Sequence, residues 1–132
     1  MIPSASTLSV GERLSVRVEI TGASDIGSVP FHVVYNPAVL RFEGGREGSF
    51  MSGGGRQTAF FAAPMSSGNE MVVGLSRLGP GEGIDGSGNL CTLDFSVVGS
   101  GDAGLAFARA HVRDSANRIV PAAFEAVGVT AR

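Results

Sequence analysis

The stretch from Val29 to Phe42 restricts the fold more than any other part of the chain. Val29, Phe31, Val33 and Tyr35 stand at alternate positions, with His32 and Val34 between them; Asn36-Pro37 interrupts the pattern, and it restarts at Val39-Leu40. A period of two places one set of side chains on one face of a strand, so the alternating set faces a core. Proline at 37 disfavours helical backbone at Asn36, and Asn-Pro starts a tight turn. The segment therefore reads as strand, turn, strand.

The same alternation recurs along the chain. Leu8 and Val10 suggest a short first strand, and Leu14, Val16, Val18 and Ile20 alternate with Ser15, Arg17 and Glu19 in the clearest half-buried one. Residues 22–27 read as a turn cluster, and residues 44–55 as a long loop or poorly regular strand around Phe50-Met51. Gln57 to Ala63 is a strand candidate stopped by Pro64, and Met71, Val73 and Leu75 set the parity of the next strand. Residues 79–88 read as a glycine-rich loop, followed by a long strand from Leu90 to Val98. Leu105 and Phe107 share one parity while Ala110 and Val112 share the other, which places a β-bulge near Ala108-Arg109. Asp114 to Asn117 has hairpin-turn chemistry, and a final strand runs from about Ala122 to Thr130. About nine short strands and no amphipathic helix make an all-β antiparallel sandwich of jelly-roll or Greek-key type, one domain over residues 1–132.

Composition narrows the function. A net charge of −2 gives no basic face for nucleic acid or an anionic membrane. All basic residues are arginine, which reads first as a compositional bias of the source genome. Cys91, the one cysteine, shares parity with Leu93, Phe95 and Val97 and is expected to be buried; alone it forms no intrachain disulfide and no cysteine-based zinc knuckle. No signal peptide or membrane span is visible, and Met1-Ile2-Pro3 reads as the start of a segment excised from a larger exported protein.

Four pieces in order resemble a cohesin domain, the receptor half of the cohesin–dockerin pair. They are Val10 to Ile20, Phe31 to Leu40 with its Tyr-Asn-Pro-x-Val-Leu core, Gly86 to Phe95, and the hairpin within Phe107 to Pro121. The resemblance implies a nine-stranded jelly-roll sandwich, shared with certain cellulose-binding modules, and a protein-docking role without catalysis. It also implies that the expected calcium carrier is the dockerin-like partner. Cohesins of cellulose-degrading assemblies are lysine- and asparagine-rich and occur in tandem, whereas this chain is lysine-free and shows one copy; cohesin-like domains also occur in secretin-like and surface proteins. The expected setting is accordingly extracellular or in the cell envelope or periplasm.

No catalytic motif is present: there is no Gly-x-Ser-x-Gly elbow, no phosphate loop ending in Lys-Ser/Thr and no His-Glu-x-x-His. Glu82 and Asp85 read as solvated loop charges, and Asp85 to Asn89 lacks the later glutamate of an EF-hand. No cofactor and no metal site is expected. His32 and His111 are expected on neighbouring strands of one outer face, where two histidines without a third ligand make a poor metal site and a plausible pH-sensitive patch.

Parity assigns that outer face His32 and Val34, Val72, Gly74 and Ser76, and Arg109, His111 and Arg113. A flat mixture of apolar, small and arginine side chains suits protein docking. Carbohydrate binding on the same fold is the alternative, and it needs exposed aromatic faces. The chain has no tryptophan, Tyr35 points inward by parity, and only one of the adjacent Phe60 and Phe61 has to point outward. A third reading is a purely structural domain of a secretion or surface apparatus.

Overall fold

In the computed structural model the described residues are 2–3, 7–55, 57–66, 68–78, 83–108, 112–116, 118–120 and 130–131. They form strands β1 (Ile2–Pro3), β2 (Thr7–Leu8), β3 (Arg13–Ser28), β4 (Phe31–Val34), β5 (Leu40–Glu47), β6 (Thr58–Pro64), β7 (Glu70–Arg77), β8 (Ile84–Val97), β9 (Gly101–Asp102), β10 (Ala106–Ala108), β11 (Arg113–Asp114) and β12 (Thr130–Ala131). One short 3-10 turn, Gly53–Gly55, is the exception to strand and loop.

Most of the strands make two layers, and β2, β12 and β9 pair as a separate small sheet. β5, β8 and β3 form one layer, with β1 against β3, and β10, β4, β7 and β6 form the other. β3 belongs to both: it pairs with β8 from Arg13 to Ile26, and its last residue, Ser28, pairs with Ser76 of β7. Apart from the parallel contact of β12 with β2, every pairing is antiparallel. The result is the all-β, curled jelly-roll-like sandwich expected from the alternation.

The alternating residues fill the space between the layers. Leu14, Val16, Val18, Cys91, Leu93, Phe95 and Val97 come from one side, and Phe31, Val33, Met71, Val73 and Leu75 from the other; all are buried. Tyr35 and Phe42 each meet Phe95 edge-on at centroid separations of 5.4 and 5.6 Å, so one ring ties the β4 end to the opposite layer. Full burial of such a side chain stabilises by about 1.5–3 kcal/mol, which makes this seam the main source of cohesion. At Asn36-Pro37 the predicted turn forms: the Asn36 side chain accepts from Ala38 N at 3.0 Å, and its carbonyl accepts from Val39 and Leu40.

Several local expectations are corrected. Val10 is not part of the first strand; it lies in a turn, 54% exposed. Residues 22–27 are not a turn but the continuation of β3, where Gly22 (φ 63°) and Asp25 (φ 54°) take left-handed backbone beside register shifts against β8. Residues 44–47 belong to β5, which bulges between Phe42 and Gly44, and residues 84–88 belong to β8. Glycine at these places marks bulges rather than strand ends. Phe50 and Met51, in a segment read as a long loop or poorly regular strand, do lie in a loop, and that loop turns both into the core. The proposed bulge near Ala108-Arg109 and the last strand from Ala122 fall largely outside the described residues.

Candidate functional site

The two layers turn chemically different faces to solvent. On β3, β8 and β5 the outward positions carry Ser15, Arg17, Glu19, Asp94, Ser96, Arg41, Glu43 and Arg46. These groups satisfy one another. Arg46 donates twice to Asp94, at 3.0 and 3.1 Å, and Ser15 Oγ donates to the same carboxylate at 2.7 Å. Arg41 Nε and Ser96 Oγ converge on Glu43 at 2.7 and 2.8 Å. Burial alone would raise the Asp94 carboxyl, but the Arg46 and Ser15 hydrogen bonds outweigh it and hold it below the ordinary range. Such a face is well solvated and offers a partner few uncommitted groups.

The other face is apolar and small. Cross-strand partners share a face, so the register places Ala106 beside Val34, Ala108 beside His32, His32 beside Val72, Phe61 beside Gly74 and Ala63 beside Val72. Phe61 is 54% exposed, whereas its neighbour Phe60 packs partly buried against the core. The Phe61 ring occupies the volume that a Cβ at Gly74 would take. Among the described residues of β4 and β7 on this face, the charged group is Glu70, which contacts the imidazole of His32 through Nδ1, both side chains less than one-fifth exposed. Engaging Nδ1 leaves Nε2 as the remaining polar atom of the ring.

The expected site residues divide as follows. His32, Val34, Val72, Gly74 and Ser76 stand on this one face, on β4 and β7. Arg113 reaches its corner by another route, on β11, opposite Ser28, which is itself opposite Ser76. Arg109 and His111 lie outside the described residues, so the expected pairing of two imidazoles does too; β10 nevertheless runs beside β4, with Ala108 opposite His32. Sequence reasoning missed Glu70, a polar residue at a strand start, and left Phe61 undecided against Phe60. The available signal for Glu70 was its parity with Val72.

At the end of the sandwich where β3 passes between layers, Asp25 joins two loops. It accepts from Gly83 N at 2.8 Å and Ser115 Oγ at 2.7 Å, and its own N–H donates to Asp85 at 2.7 Å. Those hydrogen bonds, Ser115 first and Gly83 next, hold the Asp25 carboxyl below the ordinary range. Asp114 closes the neighbouring hairpin by accepting from the Ala116 and Arg118 amides and the Arg118 guanidinium at 2.9–3.0 Å. The Arg118 amide is the main cause of its lowered pKa. Asp85 to Asn89, considered as a calcium loop, is extended strand within β8. Among the described residues no three His, Cys, Asp or Glu side chains gather as a metal site.

Comparison with known proteins agrees with this architecture. The sequence matches the Cohesin domain family over residues 1–117. No curated protein matches it. Among solved structures it is similar to a non-cellulosomal cohesin from the hyperthermophilic archaeon Archaeoglobus fulgidus, with 23% identity, 99% of this chain and 87% of that chain covered, and a TM-score of 0.74. It is also similar to a type II cohesin–X-dockerin complex from Acetivibrio cellulolyticus (11% identity, 100% and 97% covered, TM-score 0.80). A third is the cohesin module of a family 33 glycoside hydrolase from Clostridium perfringens (15% identity, 99% and 93% covered, TM-score 0.78). At these identities the structures speak for fold, and the family match speaks for kinship. The chain belongs to the cohesin domain family, whose members are non-catalytic protein–protein docking modules.

Proposed function

We propose that this cohesin domain docks a dockerin-like partner on the outer face of β10, β4, β7 and β6. The observation that carries the reading is the contrast between the two faces. One is an internally paired lattice of arginines and carboxylates, and the other is a smooth apolar surface with one half-exposed aromatic ring and one His–Glu pair. Interfaces concentrate their energy in an aromatic or arginine anchor set among well-packed neutral contacts. Phe61 is the anchor here, Val34 and Val72 are its apolar surround, and His32 and Arg113 are the polar contacts.

The dockerin assignment rests on family membership and on the similarity to a cohesin held in a complex with an X-dockerin module. Calcium belongs to that partner in this reading. The domain would serve as one module of a larger exported, surface-attached or envelope protein. Carbohydrate binding finds less support, because among the described residues Phe61 is the one aromatic more than half exposed.

The test is capture of partners from secreted and envelope fractions of the source organism, with and without chelator, by wild type and by Val34→Asp/Val72→Asp. A partner lost both on chelation and in the folded double variant supports a calcium-bearing dockerin on this face. Retention by the folded variant moves the interface elsewhere, and capture of no partner favours a structural role inside the parent protein.

A further inference from the structure

β6 is the outermost strand of its layer, and the backbone shows which of its groups are used. Leu78 N donates to Gln57 O at 2.8 Å, Met65 N donates to Glu70 O at 2.9 Å, and between these points the register from Thr58↔Arg77 to Pro64↔Met71 runs without a shift. In an antiparallel ladder, residues that exchange hydrogen bonds alternate with residues that do not. The odd-numbered residues of β6 therefore turn their N–H and C=O groups to β7. Thr58, Phe60 and Ala62 turn theirs away, toward a side where β6 pairs with no strand among the described residues. Pro64, at the end, presents a carbonyl and no N–H. β5 approaches this edge through side chains: Thr58 Oγ1 donates to Glu47, and Gly45 lies close to Ala62 and Phe60.

Natural edge strands are usually blunted by a lysine, an inward-pointing charge, a bulge or a covering loop. β6, Thr-Ala-Phe-Phe-Ala-Ala-Pro, has no charge and no bulge, and Pro64 blunts only its last position.

We propose that two copies of this chain associate edge to edge through β6, antiparallel about a twofold axis at Phe60. In that register Phe60 faces Phe60 of the second copy and Thr58 faces Ala62. Each of the three outward N–H groups then meets an outward carbonyl, and Pro64 falls beyond the paired segment. The strand is complementary to itself because small or hydroxyl-bearing residues flank Phe60 at equal distances. β6 itself brings no charge to the second copy, the Glu47 carboxylate beside it is engaged by Thr58 Oγ1, and a net charge of −2 leaves little repulsion between whole domains. The pairing also continues the apolar layer across the axis, bringing Phe61 of one copy beside Ala59 of the other. A single strand pair buries less than the roughly 800 Å² per partner of a standard interface. The dimer is therefore weak and forms as concentration rises. The edge lies in the plane of the sheet and the docking face lies above it, so either reading can fail without the other.

Sedimentation and amide hydrogen exchange on the whole chain, at about 10 μM and about 1 mM, test the proposal. The expected result is a mass that rises toward the dimer, with the Thr58, Phe60 and Ala62 amides exchanging about tenfold or more slowly at the higher concentration. Amides of Ala59, Phe61 and Ala63 stay protected at both. Ala62→Pro removes a donor that faces away from β7, the one strand with which β6 pairs among the described residues, and should stay folded and monomeric throughout. A monomer at the higher concentration, a dimer that leaves those three amides unprotected, or a folded Ala62→Pro that still dimerises overturns the proposal. If Ala62→Pro fails to fold, the wild-type exchange pattern decides.

Discussion

The Phe61 ring lies over the backbone of Gly74: a Cβ built on Gly74 would fall 2.2 Å from Cε1 and 2.7 Å from Cζ of that ring. The absence of a side chain at 74 lets the ring settle against the sheet while half of it remains in solvent. This is the cross-strand use of an aromatic beside a glycine, and it presents a fixed apolar surface at small entropic cost.

Phe61→Ala should therefore leave the domain folded, with a stability loss of about 1 kcal/mol because the ring is only half buried. Partner affinity should fall about 30-fold or more if the ring is an anchor. Gly74→Ala should lift the ring and weaken binding in the same direction. Calorimetric titration with the captured partner, alongside urea unfolding of each variant, separates the two effects.

Acid should destabilise the fold through four named carboxylates. Asp25, Glu43, Asp94 and Asp114 are all held below the ordinary range: Asp25 chiefly by Ser115, Glu43 by Arg41 and then Ser96, Asp94 by Arg46 and Ser15 against its burial, and Asp114 by the Arg118 amide. A depressed carboxylate contributes stability above its unfolded pKa of about 4 and loses it as pH falls through the folded value. The urea midpoint should be flat from about pH 7 to pH 5.5 and drop below about pH 4. Asp114→Asn should be less stable at neutral pH and show a shallower acid limb.

Cys91 should be inert in the native state. It is fully buried, and burial pushes its thiol up to about 12. A thiol reagent should label it at neutral pH only as fast as the domain opens, and at once in denaturant. Cys91→Ser, which buries a hydroxyl among apolar neighbours, should cost about 1–3 kcal/mol in urea unfolding.

Gly99 is required by a close approach. A Cβ there would sit 2.0 Å from the Ala38 carbonyl oxygen, a backbone atom held by the turn after Asn36. Gly99→Ala should lower stability by about 1–3 kcal/mol, and a shift of the denaturant midpoint measures it. Gly44→Ala, with open space at its Cβ, is the control.

Local pattern predicted the inward residues well. Val29, Phe31, Val33 and Tyr35 all face the core, as do Met71, Val73, Leu75 and Cys91. The glycine-rich stretches misled for one reason. Ala23 pairs with Gly86, Ile20 with Gly88 and Gly44 with Asp94, so cross-strand hydrogen bonding carries β3, β5 and β8 through segments whose composition favours turns. Such pairing joins residues far apart in sequence and leaves no periodic mark in either segment.

The sequence by itself determined the layer architecture and the two sides of each main strand, because side-chain alternation is a local property of extended backbone. Register decided the rest. It brought Glu70 to His32, laid Phe61 rather than Phe60 on the outer face against Gly74, and carried Arg113 to the corner of that face through Ser28 and Ser76. Which residue stands opposite which depends on the packing of the whole core, since a shift by one residue would turn every buried side chain outward.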